Sequence, residues 1–260
     1  MLFPRLSQTL LATLCATACA AAWAEAPKAD GQWRGTGGAA LSVTSGNSST
    51  QAVLLGADMA RLTTQDKITL GGNINYARGK LDGVTTTTAN KWGGFGQYDY
   101  NLSPRLFAFG KLGLEGDALI DLNLRSTLVG GLGYKLVDTK ELSFNVFGGA
   151  GYSTDRYDVA KTIGDKTDTH FSRASLYFGE ESTHQLSAST SFKQRLEVYP
   201  GLSGDKAQIM KFTAGLGVAM SSTMSLTVGL TDSYNSKPPA GAKKNDVALF
   251  TGVNVKFGAP

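Results

Sequence analysis

The stretch "DLNLRSTLVGGLGYKL", residues 121–136, alternates without a break. Its even positions carry Leu122, Leu124, Ser126, Leu128, Gly130, Leu132, Tyr134 and Leu136, and its odd positions carry Asp121, Asn123, Arg125, Thr127, Val129, Gly131, Gly133 and Lys135. Period two marks a strand with one apolar face. The run is much longer than the five or six residues typical of a globular strand, roughly. The pattern recurs. "DVALFTGVNVKF" (246–257) sets Val247, Leu249, Thr251, Val253, Val255 and Phe257 against Asp246, Ala248, Phe250, Gly252, Asn254 and Lys256. "MKFTAGLGVAM" (210–220), "MSLTVGLTDSY" (224–234), "LSASTSFKQRLEVY" (186–199), "LSFNVFGGAGY" (142–152) and, more weakly, "ITLGGNINY" (68–76) do the same.

Twelve such segments are expected: 34–44, 51–62, 67–78, 88–101, 105–116, 121–137, 142–155, 170–180, 185–198, 207–220, 224–235 and 245–257. The connections sort by parity. After even-numbered segments they are tight: "TTQD", "NLSPR", "VDTKE", "ESTH" and "SST". After odd-numbered ones several are long: "RGKLDGVTTTT", "TDRYDVAKTIGDKTD", "YPGLSGDKAQ" and "NSKPPAGAKKND". A soluble sandwich also alternates, but it has no reason to sort its loops in this way. Short turns on one rim and long loops on the other, with an even strand number, describe a transmembrane antiparallel outer-membrane β-barrel. The fold class is therefore all-β, with about twelve strands, short periplasmic turns and longer extracellular loops. Lipid satisfies no open backbone group, so the sheet must close on itself. The leucine face then meets lipid and the charged face meets the lumen.

The first 24 residues, "MLFPRLSQTLLATLCATACAAAWA", carry Arg5, then an apolar run and small residues at Ala22-Trp23-Ala24. They read as a signal peptide cut after Ala24. A buried helix is the weaker alternative, and the run is too short for a membrane anchor. Residues 25–33 are expected to be a periplasmic N-terminal segment and 34–257 the barrel. Both cysteines, Cys15 and Cys19, lie in the leader, so the mature chain has no thiol chemistry. Lipidation at Cys19 is a lesser alternative, because "ATAC" lacks the leucine favoured ahead of a lipidated cysteine. Removing the leader leaves 24 basic and 21 acidic residues, a balance of +3, which excludes the strong basic excess of a nucleic-acid binder. Tyr76, Trp92, Tyr98, Tyr100, Tyr134, Tyr152, Tyr234 and Phe257 fall near strand ends on the apolar face, where aromatic interface girdles are expected.

Three stretches carry a family resemblance. "WRGTGGAALSVTSGNSSTQAVLLGADMARLT" (33–63), "DALIDLNLRSTLVGGLGYKLVD" (117–138) and "TDSYNSKPPAGAKKNDVALFTGVNVKF" (231–257) resemble the YdiY-like family, a domain of unknown function (481) labelled salt-induced outer membrane protein. The resemblance runs from about Trp33 to Phe257 and implies a barrel in the outer membrane of Gram-negative bacteria. It brings no catalytic residues. Gly252, Val255 and Phe257 fit the closing-strand signal read by the assembly machinery, although Gly258, Ala259 and Pro260 follow it.

Alternation sends Lys111, Glu115, Asp117, Arg125, Lys135, Lys193, Arg195, Glu197, Lys211 and Lys256 into the lumen. It also sends in glycines, which leave space, and Phe95, Phe107, Phe109, Phe147, Tyr177 and Phe250, which fill it. Arg125 is expected to pair with Glu115 or Asp117, and Lys193, Arg195 and Glu197 to form a ladder on one strand. Two functions follow. One is a narrow or gated passage for ions or small polar solutes, linked through the family label to salt or osmotic response. The other is a non-conducting structural or adhesive barrel whose lumen charges pair into a packed core. A lipid-modifying enzyme is the weakest reading: His170 shares a face with Ser172, His184 falls in an expected tight turn, and no third orienting group is evident. The protein is thus expected not to be an enzyme and to need no cofactor or metal. Expected partners are outer-membrane lipid, lipopolysaccharide (through loop lysines such as Lys243 and Lys244), and the barrel-assembly machinery and periplasmic chaperones during biogenesis. No nucleic acid is expected, and the barrel is expected to be monomeric.

Overall fold

The structure is a computed structural model describing residues 28–44, 48–81, 84–240 and 242–259. The leader, its cleavage point and Cys19 lie outside the described residues. Twelve strands follow one another: β1 Trp33–Thr44, β2 Ser48–Leu62, β3 Asp66–Leu81, β4 Val84–Asn101, β5 Leu106–Asp117, β6 Leu122–Asp138, β7 Leu142–Ile163, β8 Lys166–Gln185, β9 Thr190–Pro200, β10 Gln208–Ala219, β11 Met224–Asn235 and β12 Asn245–Gly258. Each pairs antiparallel with its sequence neighbours, and β1 pairs with β12, so the sheet is a closed barrel. The closing seam has six residue pairs, from Arg34↔Gly258 to Ala39↔Val253. There Phe257 packs over Gly35, where any Cβ would overlap its ring.

The barrel is inside out relative to a soluble sheet protein. Leu112, Leu114, Leu128, Leu132, Leu216, Val228, Leu249 and Val253 are all exposed, with Leu128 at 60% and Leu249 at 70%. The opposite face of the sheet buries Thr36, Asp155, Arg173, Glu197 and Thr231. An exposed apolar belt of this extent on a closed barrel is a lipid-facing surface. Of the girdle residues, Trp92, Tyr98, Tyr100, Tyr134, Tyr152 and Phe257 are exposed on this face, while Tyr76 and Tyr234 are half-buried. Trp33, assigned from sequence to the N-terminal segment, is instead the first residue of β1 and is also exposed.

Three local readings need correction. Two of the long loops are mostly strand: β3 runs to Leu81 and β4 starts at Val84, while β7 and β8 meet at a turn over Gly164 and Asp165. Gly164 has a φ of 61°, which a two-residue hairpin turn requires. Nothing obliges a ladder to stop at the membrane boundary when its hydrogen bonds continue in pairs. The tight turn after β8 is not "ESTH" but residues 186–189, closed by Leu186 N–H to Thr190 O at 2.9 Å, so His184 sits within β8. Finally, Leu122 does not face lipid. A register shift between Leu122 and Leu124 turns it inward, where it is 4% exposed and packs with Tyr157, Ile163 and Phe171.

Inward aromatics follow a rule that governs the lumen's shape. Phe95 lies opposite Gly71, Phe107 opposite Gly133, Phe109 opposite Gly131, Tyr177 opposite Gly149 and Phe250 opposite Gly229. At Gly71, Gly133 and Gly229 a Cβ would overlap the facing ring. These glycines therefore do not leave space; rings from the next strand lie flat across them. Replacing Gly133 or Gly229 by Val is expected to destabilise the barrel by about 1–3 kcal/mol through overpacking. Gly110→Val, where nothing lies within 4 Å, is expected to fold as wild type. Urea titration of the folded band on unheated gels separates the variants.

Candidate functional site

The lumen is the candidate site, and its side chains form layers. At the long-hairpin rim, Ile120 from a single 3-10 turn (Ala118–Ile120) packs on Leu122, Tyr157, Ile163 and Phe171 as an apolar cap. Tyr157 and Phe171 meet edge to face with centroids 5.9 Å apart. Asp117 caps this turn by accepting from Leu119 N–H at 3.0 Å.

Beneath the cap lies an ionic layer. Arg125 Nε donates to Asp155 Oδ1 at 2.6 Å and its Nη1 to Glu115 Oε1 at 3.0 Å. Arg173 donates to the other oxygen of Asp155 at 2.8 Å and to Asp205 Oδ2 at 2.8 Å. Lys211 Nζ reaches Glu115 Oε2 at 2.8 Å. Each bond is charge-assisted, and the geometry leaves no guanidinium here without a carboxylate. Asp205 comes from the β9–β10 loop, which folds against β8: Leu202 N–H donates to Ala174 O at 2.8 Å, and Asp205 is 4% exposed at its side chain.

A mixed layer follows. Phe107, Phe109, Val129, Phe147, Tyr177 and Tyr199 form a buried cluster with edge-to-face contacts of 5.7 and 5.6 Å between Phe147 and the two β5 rings. Charges are threaded through it. Glu197 accepts from Lys111 at 2.8 Å, from Tyr177 Oη–H at 2.9 Å and from Arg195 at 3.0 Å, while Arg195 also holds Glu181 at 2.6 Å. Arg195 stacks over Phe147 and Lys111 over Phe95, with cation-to-centroid distances of 5.3 and 5.2 Å.

Three of these ion pairs cross the lumen. Lys111 of β5 and Glu197 of β9 are four strands apart in the ring, as are Lys91 of β4 and Asp246 of β12, whose contact is 3.2 Å. Lys211 of β10 and Glu115 of β5 are five apart, where six is diametric. Opposite staves are therefore tied through the lumen.

At the short-turn mouth the balance changes. Lys67, Lys135, Lys193 and Lys256 enter from β3, β6, β9 and β12, one on every third strand, each within four residues of its strand's short-turn end. Asp58 of β2, Asp99 opposite Lys67, and Glu181 are acids on the same inward face there. Lys135 and Lys256 make no ion pair among the described residues.

All ten sequence-derived lumen residues thus share the inward face. Arg125 pairs with Glu115 as one of its two expected options, whereas Asp117 is taken by Lys91 at 2.9 Å. Of the expected ladder, Arg195 and Glu197 touch. Three participants were missed. Lys67 was visible in the alternation of "KITLGGNIN", Asp155 fell at the start of a supposed loop, and Asp205 lies in a loop whose inward fold no local signal announces. His170 is exposed, with Nδ1 3.0 Å from Thr169 Oγ1, and His184 Nε2 lies 3.2 Å from Ser182 Oγ on the outer face. Among the described residues no cluster of His, Cys, Asp or Glu is arranged to hold a metal ion.

The family described as "Protein of unknown function, DUF481" matches residues 37–257. The chain belongs to this family. No curated protein is similar to it. Among solved structures, the NanC porin is similar at 9% identity and a TM-score of 0.49, over 86% of this chain and 98% of that one. An outer membrane channel from Pseudomonas putida F1 is similar at 13% identity and a TM-score of 0.49, over 87% and 96%. The translocator domain of the autotransporter NalP from Neisseria meningitidis is similar at 11% identity and a TM-score of 0.45, over 87% and 88%.

Truncating one member of a buried ionic cluster strands its partners. Arg125→Met is expected to destabilise the barrel by about 3–5 kcal/mol. Lys166→Gln, at an exposed pair with Asp168 on the β7–β8 hairpin, is expected to cost less than about 1 kcal/mol. Urea unfolding in lipid vesicles measures both.

Proposed function

We propose that this protein is an outer-membrane barrel forming a narrow, gated passage for ions and small polar solutes, closed in the conformation described. The short-turn rim then faces the periplasm and the long hairpins face outward. The observation that carries the reading is the set of ion pairs tied across the lumen, Lys111–Glu197, Lys211–Glu115 and Lys91–Asp246. A purely structural filling gains little from such pairs, because well-packed apolar side chains of similar volume are commonly as stable or more so. A lumen charged along its length instead offers an ion a route of successive partners once the ties part. The lysines at the short-turn mouth favour anions there.

The reading includes the salt response implied by the family resemblance. Raising ionic strength from 0.1 M to 1 M shortens the Debye length from about 10 Å to about 3 Å and weakens those pairs that water reaches. It includes no catalysis, no cofactor and a monomeric state. Outer-membrane lipid and lipopolysaccharide are the standing partners. The barrel-assembly machinery and periplasmic chaperones act during biogenesis through Gly252, Val255 and Phe257. A second reading, a non-conducting structural or adhesive barrel, is favoured by the aromatic cluster of Phe107, Phe109, Phe147, Tyr177 and Tyr199.

Planar-bilayer recording of the refolded protein decides between them. Wild type is expected to give small, infrequent openings whose frequency rises more steeply with KCl than bulk conductivity does. Glu197→Gln, which removes the charge shared by Lys111 and Arg195, is expected to lengthen the openings, and Lys256→Glu to lower anion preference. No current from wild type or Glu197→Gln at any voltage or salt concentration would establish the packed-core reading instead. Lipid turnover by wild type and His170→Ala is expected to be equal and at background.

A further inference from the structure

The outer face carries one feature that neither lumen reading uses. A depression of about 240 Å³ is lined by Leu196, Met210, Phe212, Asp232, Tyr234 and Asn245. Leu196, Phe212 and Asp232 lie side by side across β9, β10 and β11 on the lipid-facing side. Asp232 is thus a carboxylate on a surface otherwise made of Met210, Leu216, Val228 and Leu230, and its Oδ1 is buried with no hydrogen-bond partner. A buried acceptor left unmet is costly, and a carboxylate on a lipid-facing strand adds to that cost. Its other oxygen, Oδ2, is the one open to a donor from a molecule that covers this face.

Depth narrows the class of molecule. Asp232 lies three residues from the long-hairpin end of β11, one step inward of the girdle residue Tyr234. That is the level at which lipid chains join their headgroup. Directly above, Asn235 N–H donates to Lys244 O at 2.8 Å, so the β11–β12 loop is anchored over the depression, and Lys243 and Lys244 are exposed on it. Lys237 of the same loop is directed away, its Nζ donating to Asp205 O at 2.6 Å. Leu196 and Phe212 are level with Asp232, Met210 is level with Tyr234 one step outward, and the two ammonium groups follow beyond them.

We propose that this face binds one phosphorylated glycolipid of the outer leaflet. An acyl chain runs inward from Leu196 and Phe212 over Leu230, Val228 and Leu216, and a hydroxyl or amide N–H at the sugar–acyl junction donates to Asp232. The sugar rests on Tyr234, and the phosphate meets Lys243 and Lys244. A glycerophospholipid without a hydroxyl or amide at that level leaves Asp232 unpaired, which gives the site its selectivity. The assignment rests on the outward orientation of the long hairpins given above.

Native mass spectrometry of the detergent-purified full chain, titrated with bisphosphorylated lipid A, tests it, with dephosphorylated lipid A and phosphatidylglycerol as comparators. Wild type is expected to retain lipid A in preference to phosphatidylglycerol. Asp232→Leu is expected to weaken retention about fivefold, the loss of one hydrogen bond. Asp232→Asn, which keeps shape and fold but not charge, is expected to weaken it in the same direction. The double variant Lys243→Glu, Lys244→Glu is expected to lower retention of the phosphorylated form alone. Equal retention of lipid A by wild type and Asp232→Asn, or of phosphatidylglycerol and lipid A by wild type, overturns the proposal. Surface proteolysis of the 236–244 loop on intact cells reports orientation separately, so a failure of that reading is distinguishable from a failure of binding.

Discussion

Hydrocarbon offers no hydrogen-bond partner to a peptide group, and the whole molecule follows from that refusal. A strand in lipid must be flanked on both sides, so twelve strands close through β1 and β12 although that seam is only six pairs long. Closure inverts the usual division of side chains. Leucines that would form a core turn outward, and the interior receives the groups that water would otherwise hold. The seam is reinforced by Phe257 lying over Gly35 and by Ala259 N–H donating to Trp33 O at 3.1 Å.

The interior so created is too narrow to hold its charges apart. Arg125, Arg173 and Lys211 share Asp155, Glu115 and Asp205, and Glu197 serves Lys111, Arg195 and Tyr177 at once. Low local dielectric makes each such contact strong and each missing partner costly. The carboxylates therefore sit where two or three donors converge. Glycines opposite aromatics do the corresponding work for apolar side chains, letting rings lie across the wall instead of projecting into the centre.

Period two carried most of the architecture. Strand number and the inward direction of Arg125, Lys111 and Lys211 follow from alternation, because a strand's side chains have only two directions to choose from. What alternation misses is anything that depends on a change of register or a return of the chain. Leu122 was placed on lipid because a one-residue shift beside it has no signature in composition. Asp205 lies in "YPGLSGDKAQ", which reads only as a long connection, yet its loop folds back on β8 and delivers it to Arg173. Partner choice was likewise hidden: Lys211 and Glu115 are 96 residues apart and meet only because the ring closes.

The three ties across the lumen share a direction. Each joins β4 or β5 on one side to β9, β10 or β12 on the other. In mechanical terms the barrel is a hoop braced along a single axis, stiff against elongation in that direction. Lateral pressure or a change in bilayer thickness that stretches the hoop along the braced axis loads all three ties together. They then share the strain.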